Sequence, residues 1–156
     1  IFNLDNEKIE QALHSFEGVE HRLEPVRELE GVKFVNDSKA TNVDSVWYAL
    51  QSYSNPIFLI LGGKDKGNDY NQIKDLVIEK VKKIYAIGSS ADKVFNFFHK
   101  EVKVEISKTL EDAVRAANKE ARNGDIVLLS PACASFDMFE NYEHRGRVFK
   151  EAVNKL

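Results

Sequence analysis

The stretch that most constrains this chain is Ile57-Phe-Leu-Ile-Leu61, followed at once by Gly62-Gly-Lys-Asp-Lys-Gly67. Five apolar residues in a row leave no polar face, so a strand here must be covered on both sides. Strands of that kind belong to parallel sheets, whose crossover helices cover both faces. Further strands are read at Lys83–Ile87, Val102–Glu105 and Ile126–Leu129. Apolar residues at helical spacing predict helices over about Val43–Tyr53, Tyr70–Val81, Ala91–Phe98 and Leu110–Ala121, and a last one from about Glu143 to Lys155. The alternation predicts a Rossmann-like α/β fold, a mostly parallel sheet with helices on both faces. Earlier in the chain, Leu23–Leu29 and Val32–Val35 flank Glu30-Gly31, a hairpin signal in which Gly31 supplies positive φ. This hairpin adds an antiparallel edge strand. Pro25 has no N–H to donate, which puts the first run at the sheet's edge. Ile1–Phe16 reads as an amphipathic helix with Ile9, Ala12, Leu13 and Phe16 on one face, stopped by Gly18.

The chain has 156 residues, the size of one ordinary domain. It carries 22 basic and 25 acidic side chains, a formal net charge of −3. That excludes a protein held to nucleic acid by bulk charge, though a local basic patch stays open. The longest apolar run, Ile57–Leu61, is too short to span a bilayer, and no signal-peptide pattern is present at the start. The single cysteine, Cys133, cannot form an internal disulfide, which fits a reducing compartment. Because the chain begins with Ile1, it is expected to be either processed or a piece of something longer.

In open α/β sheets ligands bind beyond the carboxyl ends of the strands. The segments leaving those ends are Asn36–Asn42, Gly62–Asn68, Gly88–Ser90 and Ser130–Ser135, all small, polar or glycine-rich. The opposite connectors, Ser54–Pro56 and Arg122–Asp125, read as plain turns. The asymmetry predicts one binding edge for an anionic ligand. Asp37 is placed for a metal or a nucleotide hydroxyl, and Lys39 for a carboxylate or phosphate. Thr41 or Asn42 can cap the next helix. The same segment also reads as an ordinary capped strand-to-helix loop. Gly62–Gly67 brings Lys64 and Lys66, but it is neither a nucleotide P-loop nor a dinucleotide fingerprint. No histidine is placed to activate Cys133, which reads as a small buried residue, while Ser135 reads as an anion-binding hydroxyl. His14, His21, His99 and His144 show no metal spacing. Trp47, with Tyr48 and Leu50, reads as core, as do Phe95, Phe97 and Phe98.

Taken together, Asn36-Asp-Ser-Lys-Ala-Thr-Asn42, Leu61-Gly-Gly-Lys-Asp-Lys66, Leu129-Ser-Pro-Ala-Cys-Ala-Ser-Phe-Asp-Met-Phe139 and the closing Asn141–Phe149 resemble the C-terminal domain of the Mur ligases. The form resembled is that of the member adding D-glutamate. The resemblance covers essentially the whole chain. It implies that residues 1–20 are the tail of a preceding central domain and residues 21–156 the C-terminal domain. It implies an ATP-dependent ligase that phosphorylates the alanyl carboxylate of UDP-N-acetylmuramoyl-L-alanine. The amine of D-glutamate then attacks the acyl phosphate, extending a peptidoglycan precursor. ATP and Mg are expected to be bound mainly by the central domain, with no cofactor held by this chain alone. Carried over by motif position, Thr41, Lys66, Ser135 and Phe136 would hold the carboxylates of D-glutamate. Tyr142, where the family usually has Phe, would contribute through its backbone. Arg22 and Asp37 fall at nucleotide-contacting positions, and Lys39 near the reacting centre, as the catalytic candidate. The resemblance further implies a bacterial cytoplasmic monomer with no nucleic-acid or membrane partner. Lacking a P-loop and the UDP-substrate domain, this chain alone is expected not to catalyse ligation. Two other readings stand beside it: a free-standing α/β module for a small acidic metabolite or nucleotide, and a sibling Mur or folylpolyglutamate ligase domain. Which of Lys64 and Lys66 faces the ligand is open.

Overall fold

The computed structural model describes residues 18–156. The expected helix over Ile1–Phe16 lies outside them. Strands β1 (Glu24–Leu29) and β2 (Val32–Asn36) are followed by α1 (Val43–Gln51), β3 (Ile57–Gly62), α2 (Asn71–Lys80) and β4 (Val81–Ile87). Then come α3 (Ala91–Phe98), β5 (Lys103–Ile106), α4 (Leu110–Glu120), β6 (Ile126–Leu129) and α5 (Tyr142–Asn154). The six strands form one sheet in the order β1-β2-β6-β3-β4-β5. Only the β1–β2 pair is antiparallel; the other four pairings are parallel.

The apolar run at β3 sits between β6 and β4, and all six of its residues are buried. Alternate residues serve the two faces. Ile57, Leu59 and Leu61 pack with α1, α2 and α3 through Val46, Leu50, Ile73, Val77, Val94 and Phe98. Phe58 and Ile60 pack with α4 and α5 through Leu110, Val114, Phe149 and Val153. The sheet is therefore covered on both sides, which is why its central strands need no polar face. Asn42 and Thr109 cap α1 and α4, accepting from Ser45 N and Asp112 N. Each satisfies one of the free N–H groups at a helix start. Leu50 lies in the core as expected and Trp47 packs half-buried against it, but Tyr48 is 66% exposed and belongs to the rim. No helix among the described residues is long and apolar enough to cross a membrane.

The chain leaves β2 and returns to the sheet at β3, beyond β6. The carboxyl ends of β2, β6, β3 and β4 thus lie side by side, and the four polar loops read from the sequence share one edge.

The β1–β2 hairpin turns at Glu30 (φ 50°) and Gly31 (φ 77°). Both turn residues are left-handed, a conformation that costs a side-chain-bearing residue roughly 1–2 kcal/mol and that Asn and Gly tolerate best. Glu30→Asn is expected to stabilise the domain by about 0.5–1 kcal/mol. Urea titration of both proteins checks this, and an unchanged or lower midpoint would refute it.

Candidate functional site

The loop after β2 begins with two buried polar residues. Asn36 Nδ2 donates to Glu24 Oε2 (2.9 Å) and reaches His21 Nδ1 at 2.9 Å. Its Oδ1 accepts from Ser38 N (3.2 Å), which fixes the amide's orientation. His21 Nδ1 is then the acceptor, and its proton sits on Nε2. Burial of the His21 ring lowers its pKa and keeps it neutral. The ring lies against Gly146 in α5, where a Cβ would come 2.2 Å from Nδ1. Lys39 N donates to His21 O (3.0 Å) and Leu23 N to Asp37 Oδ1 (3.2 Å). The segment leading into β1 is thereby fastened to the β2 loop, with His21 (φ 65°) and Leu23 (φ 44°) both left-handed.

Asp37 is 4% exposed, and its Oδ2 accepts from Ser130 Oγ at 2.8 Å. Burial pushes its pKa up to about 6, against the lowering pull of Ser130, the Leu23 N–H and Arg22. Asp37, Arg22 and Lys39 line a single pocket of about 200 Å³ with Ala40, Ser45 and Tyr48. Lys39 Nζ lies 5.7 Å from the centre of the Tyr142 ring. Asn42, not Thr41, caps α1.

Arg145 of α5 joins two loops. It is 1% exposed, and its Nε donates to Ser38 Oγ (2.9 Å), Nη2 to Ser38 O (2.8 Å) and Nη1 to Cys133 O (3.0 Å). Ser38 Oγ donates onward to Tyr142 O (2.7 Å). The loop after β3 is tied to that after β6 by Lys64 N donating to Ala134 O (2.9 Å) and Gly62 N to Pro131 O (2.9 Å). Gly63 (φ 140°) allows this approach, since a Cβ there would meet Ala134 O at 2.5 Å. Asp65 is held by Lys93 Nζ (2.7 Å) and by Asn68 N (3.0 Å). Lys64 and Lys66 are exposed and make no ion pair among the described residues.

Cys133 is buried, and burial raises its thiol's pKa. Asn68 Nδ2 donates to its Sγ (3.2 Å), and the Tyr70 and Ser90 hydroxyls lie at 3.8 and 3.6 Å. It is packed as the sequence suggested, and a protonated thiol without a neighbouring base is no nucleophile. Ser135 is 2% exposed, so little of the residue reaches the surface. Its carbonyl accepts from Met138 N and Phe139 N, a turn that leaves Phe136 67% exposed.

All the residues singled out in the sequence therefore lie on or beside this edge: Arg22 in the lead-in segment, Asp37, Lys39 and Thr41 after β2, Lys66 after β3, and Ser135, Phe136 and Tyr142 after β6. Sequence reading gave no role to His21, Arg145 or Asp137. Gly146 was the available signal for His21, because a glycine inside a helix costs about 1 kcal/mol unless something packs against it. Among the described residues no three His, Cys, Asp or Glu side chains cluster closely enough to hold a metal ion.

These features define an α/β domain whose strand-end loops present exposed lysines along one edge. The chain belongs to the Mur ligase family: the profile described as "Mur ligase, glutamate ligase domain" matches residues 21–133. It is 54% identical to the UDP-N-acetylmuramoylalanine–D-glutamate ligase of Chloroherpeton thalassium, over 98% of this chain and 33% of that one. It is 50% identical to the enzyme of the same name from Salinibacter ruber, over 100% of this chain and 34% of that one. The chain spans about a third of the length of these relatives. Among solved structures, UDP-N-acetylmuramate-alanine ligase from Thermotoga maritima superposes with a TM-score of 0.68 at 13% identity, over 97% of this chain and 34% of that one. The folylpolyglutamate synthase/dihydrofolate synthase of Yersinia pestis, solved with AMPPNP and a Mn ion, gives 0.69 at 19%, over 99% and 36%. At those identities the likeness is one of fold.

A buried carboxyl with a raised pKa destabilises the fold once ionised. Asp37 adds stability below about pH 4, and that contribution is lost as the pH rises through about 6. His21, with its lowered pKa, acts in the opposite sense as the pH falls, so the informative quantity is variant minus parent. Asp37→Asn is expected to gain about 2–3 kcal/mol relative to the parent between pH 4 and 7. Urea unfolding at steps across that range measures it. A constant difference would show that Asp37 ionises normally.

Proposed function

We propose that this domain receives D-glutamate in an ATP-dependent ligase that joins it to UDP-N-acetylmuramoyl-L-alanine during peptidoglycan precursor synthesis. The observation that carries the reading is the convergence of the Thr41, Lys66 and Ser135–Phe136 loops on one edge, where Lys64 and Lys66 are exposed and make no ion pair among the described residues. A dicarboxylate amino acid calls for cations and hydroxyls from several loops at once. Asp37, Asp65 and Asp137 are each engaged within the protein, which limits repulsion of such a ligand. Relatives at about half identity carry the corresponding name, which supports D-glutamate over the substrates of sibling ligases.

In this reading Lys66, Thr41 and the Ser135–Phe136 turn hold the two carboxylates, and Tyr142 contributes backbone at the start of α5. The free amine then faces the carboxyl carbon of the muramoyl substrate, activated elsewhere as an acyl phosphate. Amide formation expels phosphate and releases the proton carried by the attacking amine. Lys39, whose Nζ lies 5.7 Å from the centre of the Tyr142 ring, would stabilise negative charge on the phosphate as it departs. Arg22 and Asp37, which share one pocket, would take the nucleoside part of ATP as the domains close, shielding the acyl phosphate from water. The divalent cation accompanying ATP would be held outside this domain. Residues 1–20 are read as the tail of the domain that binds the nucleotide's phosphates.

In the ligase containing this domain, Lys66→Ala and Ser135→Ala are each expected to raise the KM for D-glutamate about ten-fold or more. A hydrogen bond to a charged group is worth about 1.5–3 kcal/mol. The KM for ATP should move far less. Steady-state kinetics with each substrate varied in turn decides the matter, and an unmoved D-glutamate KM in both variants refutes the assignment. The 156-residue chain by itself should release no phosphate above background when given all three substrates. Turnover by the purified chain would contradict the division of labour.

A further inference from the structure

We infer that Asp137 is a positioning residue for the amino-acid substrate: seated on the Ser89 backbone N–H, its carboxylate holds the Ser135–Phe136 turn to the loop after β4. The inference rests on the substrate reading above and adds a residue to it.

Three loops meet at this point, and their fastenings are unequal. Gly63, after β3, is bound to the β4 loop on both of its polar atoms. Ser90 N donates to Gly63 O (3.0 Å), and Gly63 N donates to Ser90 Oγ (3.1 Å). Ser89 Oγ also donates to Gly63 O, at 3.2 Å. The β3 and β6 loops are joined by Lys64 N to Ala134 O (2.9 Å). Among the described residues, the hydrogen bonds between the β4 and β6 loops are the Ser90–Cys133 contact at 3.6 Å and the bond from Ser89 N to Asp137 Oδ2 at 2.7 Å. The second is short and charge-assisted, and it is the stronger of the two.

The surroundings of that carboxylate are tight on its far side. Gly88 has φ 70°, and a Cβ there would lie 2.4 Å from Asp137 Oδ2 and 2.7 Å from Gly63 Cα. The close approach of all three loops thus depends on a residue without a side chain. Asp137 directly follows Phe136, whose ring is exposed and has no packing of its own to fix it. What fixes this turn is the Met138 and Phe139 N–H pair on Ser135 O behind it and the Asp137 carboxylate beside it.

Charge explains why an acidic residue is tolerated there. A loose carboxylate two residues from Ser135 would repel an incoming dicarboxylate. Held on an N–H in the turn that opens α3, its charge is partly offset by the aligned peptide dipoles. It also occupies the one Ser89 donor that a substrate carboxylate could otherwise take in a misplaced pose.

The test uses the full ligase with Asp137→Ala, Asp137→Asn and Gly88→Ala. Asp137→Ala should raise the KM for D-glutamate about ten-fold, leaving the KM for ATP within about two-fold. Asp137→Asn keeps an oxygen acceptor for Ser89 N and should recover most of that loss. Gly88→Ala crowds the same contact from the other side and should reproduce the Asp137→Ala effect. If the D-glutamate KM is unchanged in Asp137→Ala, or if Asn performs no better than Ala, the inference is overturned. A loss spread evenly over both substrates, or a variant that does not fold, assigns Asp137 to general structure and overturns it too. Failure of the substrate reading is separable: there, Lys66→Ala and Ser135→Ala would also leave the D-glutamate KM unmoved.

Discussion

Arg145 is a buried guanidinium with no carboxylate bonded to it among the described residues, and the candidate site is arranged around it. Burying a charge costs several kcal/mol unless its donors are satisfied. Here two carbonyls and a hydroxyl satisfy them: Ser38 O, Cys133 O and Ser38 Oγ. Burial lowers the pKa to about 10, so the charge persists at neutral pH, helped by the field of Asp137. Fixing Ser38 fixes its neighbours Asp37 and Lys39. Fixing the Cys133 carbonyl fixes the start of the Ala134–Phe136 turn. One side chain therefore sets the separation of two loops of the candidate site.

The strand ends around it approach one another closely. Gly62 and Gly63 are left-handed, and a Cβ on either would strike backbone oxygen. Ala132 is left-handed too (φ 59°), at a cost of roughly 1–2 kcal/mol. Its carbonyl accepts from Asn68 Nδ2, which is part of what holds it there. Strain kept in place by surrounding contacts is common where a loop must present particular atoms.

How much of this is visible in the amino-acid sequence follows from the range of each interaction. The strands at β3, β4 and β6, the covering helices and the Glu30-Gly31 hairpin are local patterns of apolar spacing and turn chemistry, and each is present in the structure. Even α3, Ala91–Phe98, has the expected limits. The gathering of polar loops on one edge follows from strand order and was legible as well. The pairing of Arg145 with Ser38 spans 107 positions, and that of Asp137 with Ser89 spans 48. No local pattern encodes such meetings. The deep burial of Ser135 and the exposure of Tyr48 likewise depend on which neighbours arrive, not on the residues themselves.

The placement of Arg145 late in the chain has a consequence for synthesis. A nascent chain is made from its amino end, so all six strands and four of the five described helices exist before residue 145 does. The sheet can assemble around β3 without it, but the loops after β2 and β6 then lack their common anchor. The order of translation thus separates formation of the scaffold from the anchoring of these two loops. A chain released early, even one with its whole sheet in place, would carry the residues of the site without their spacing.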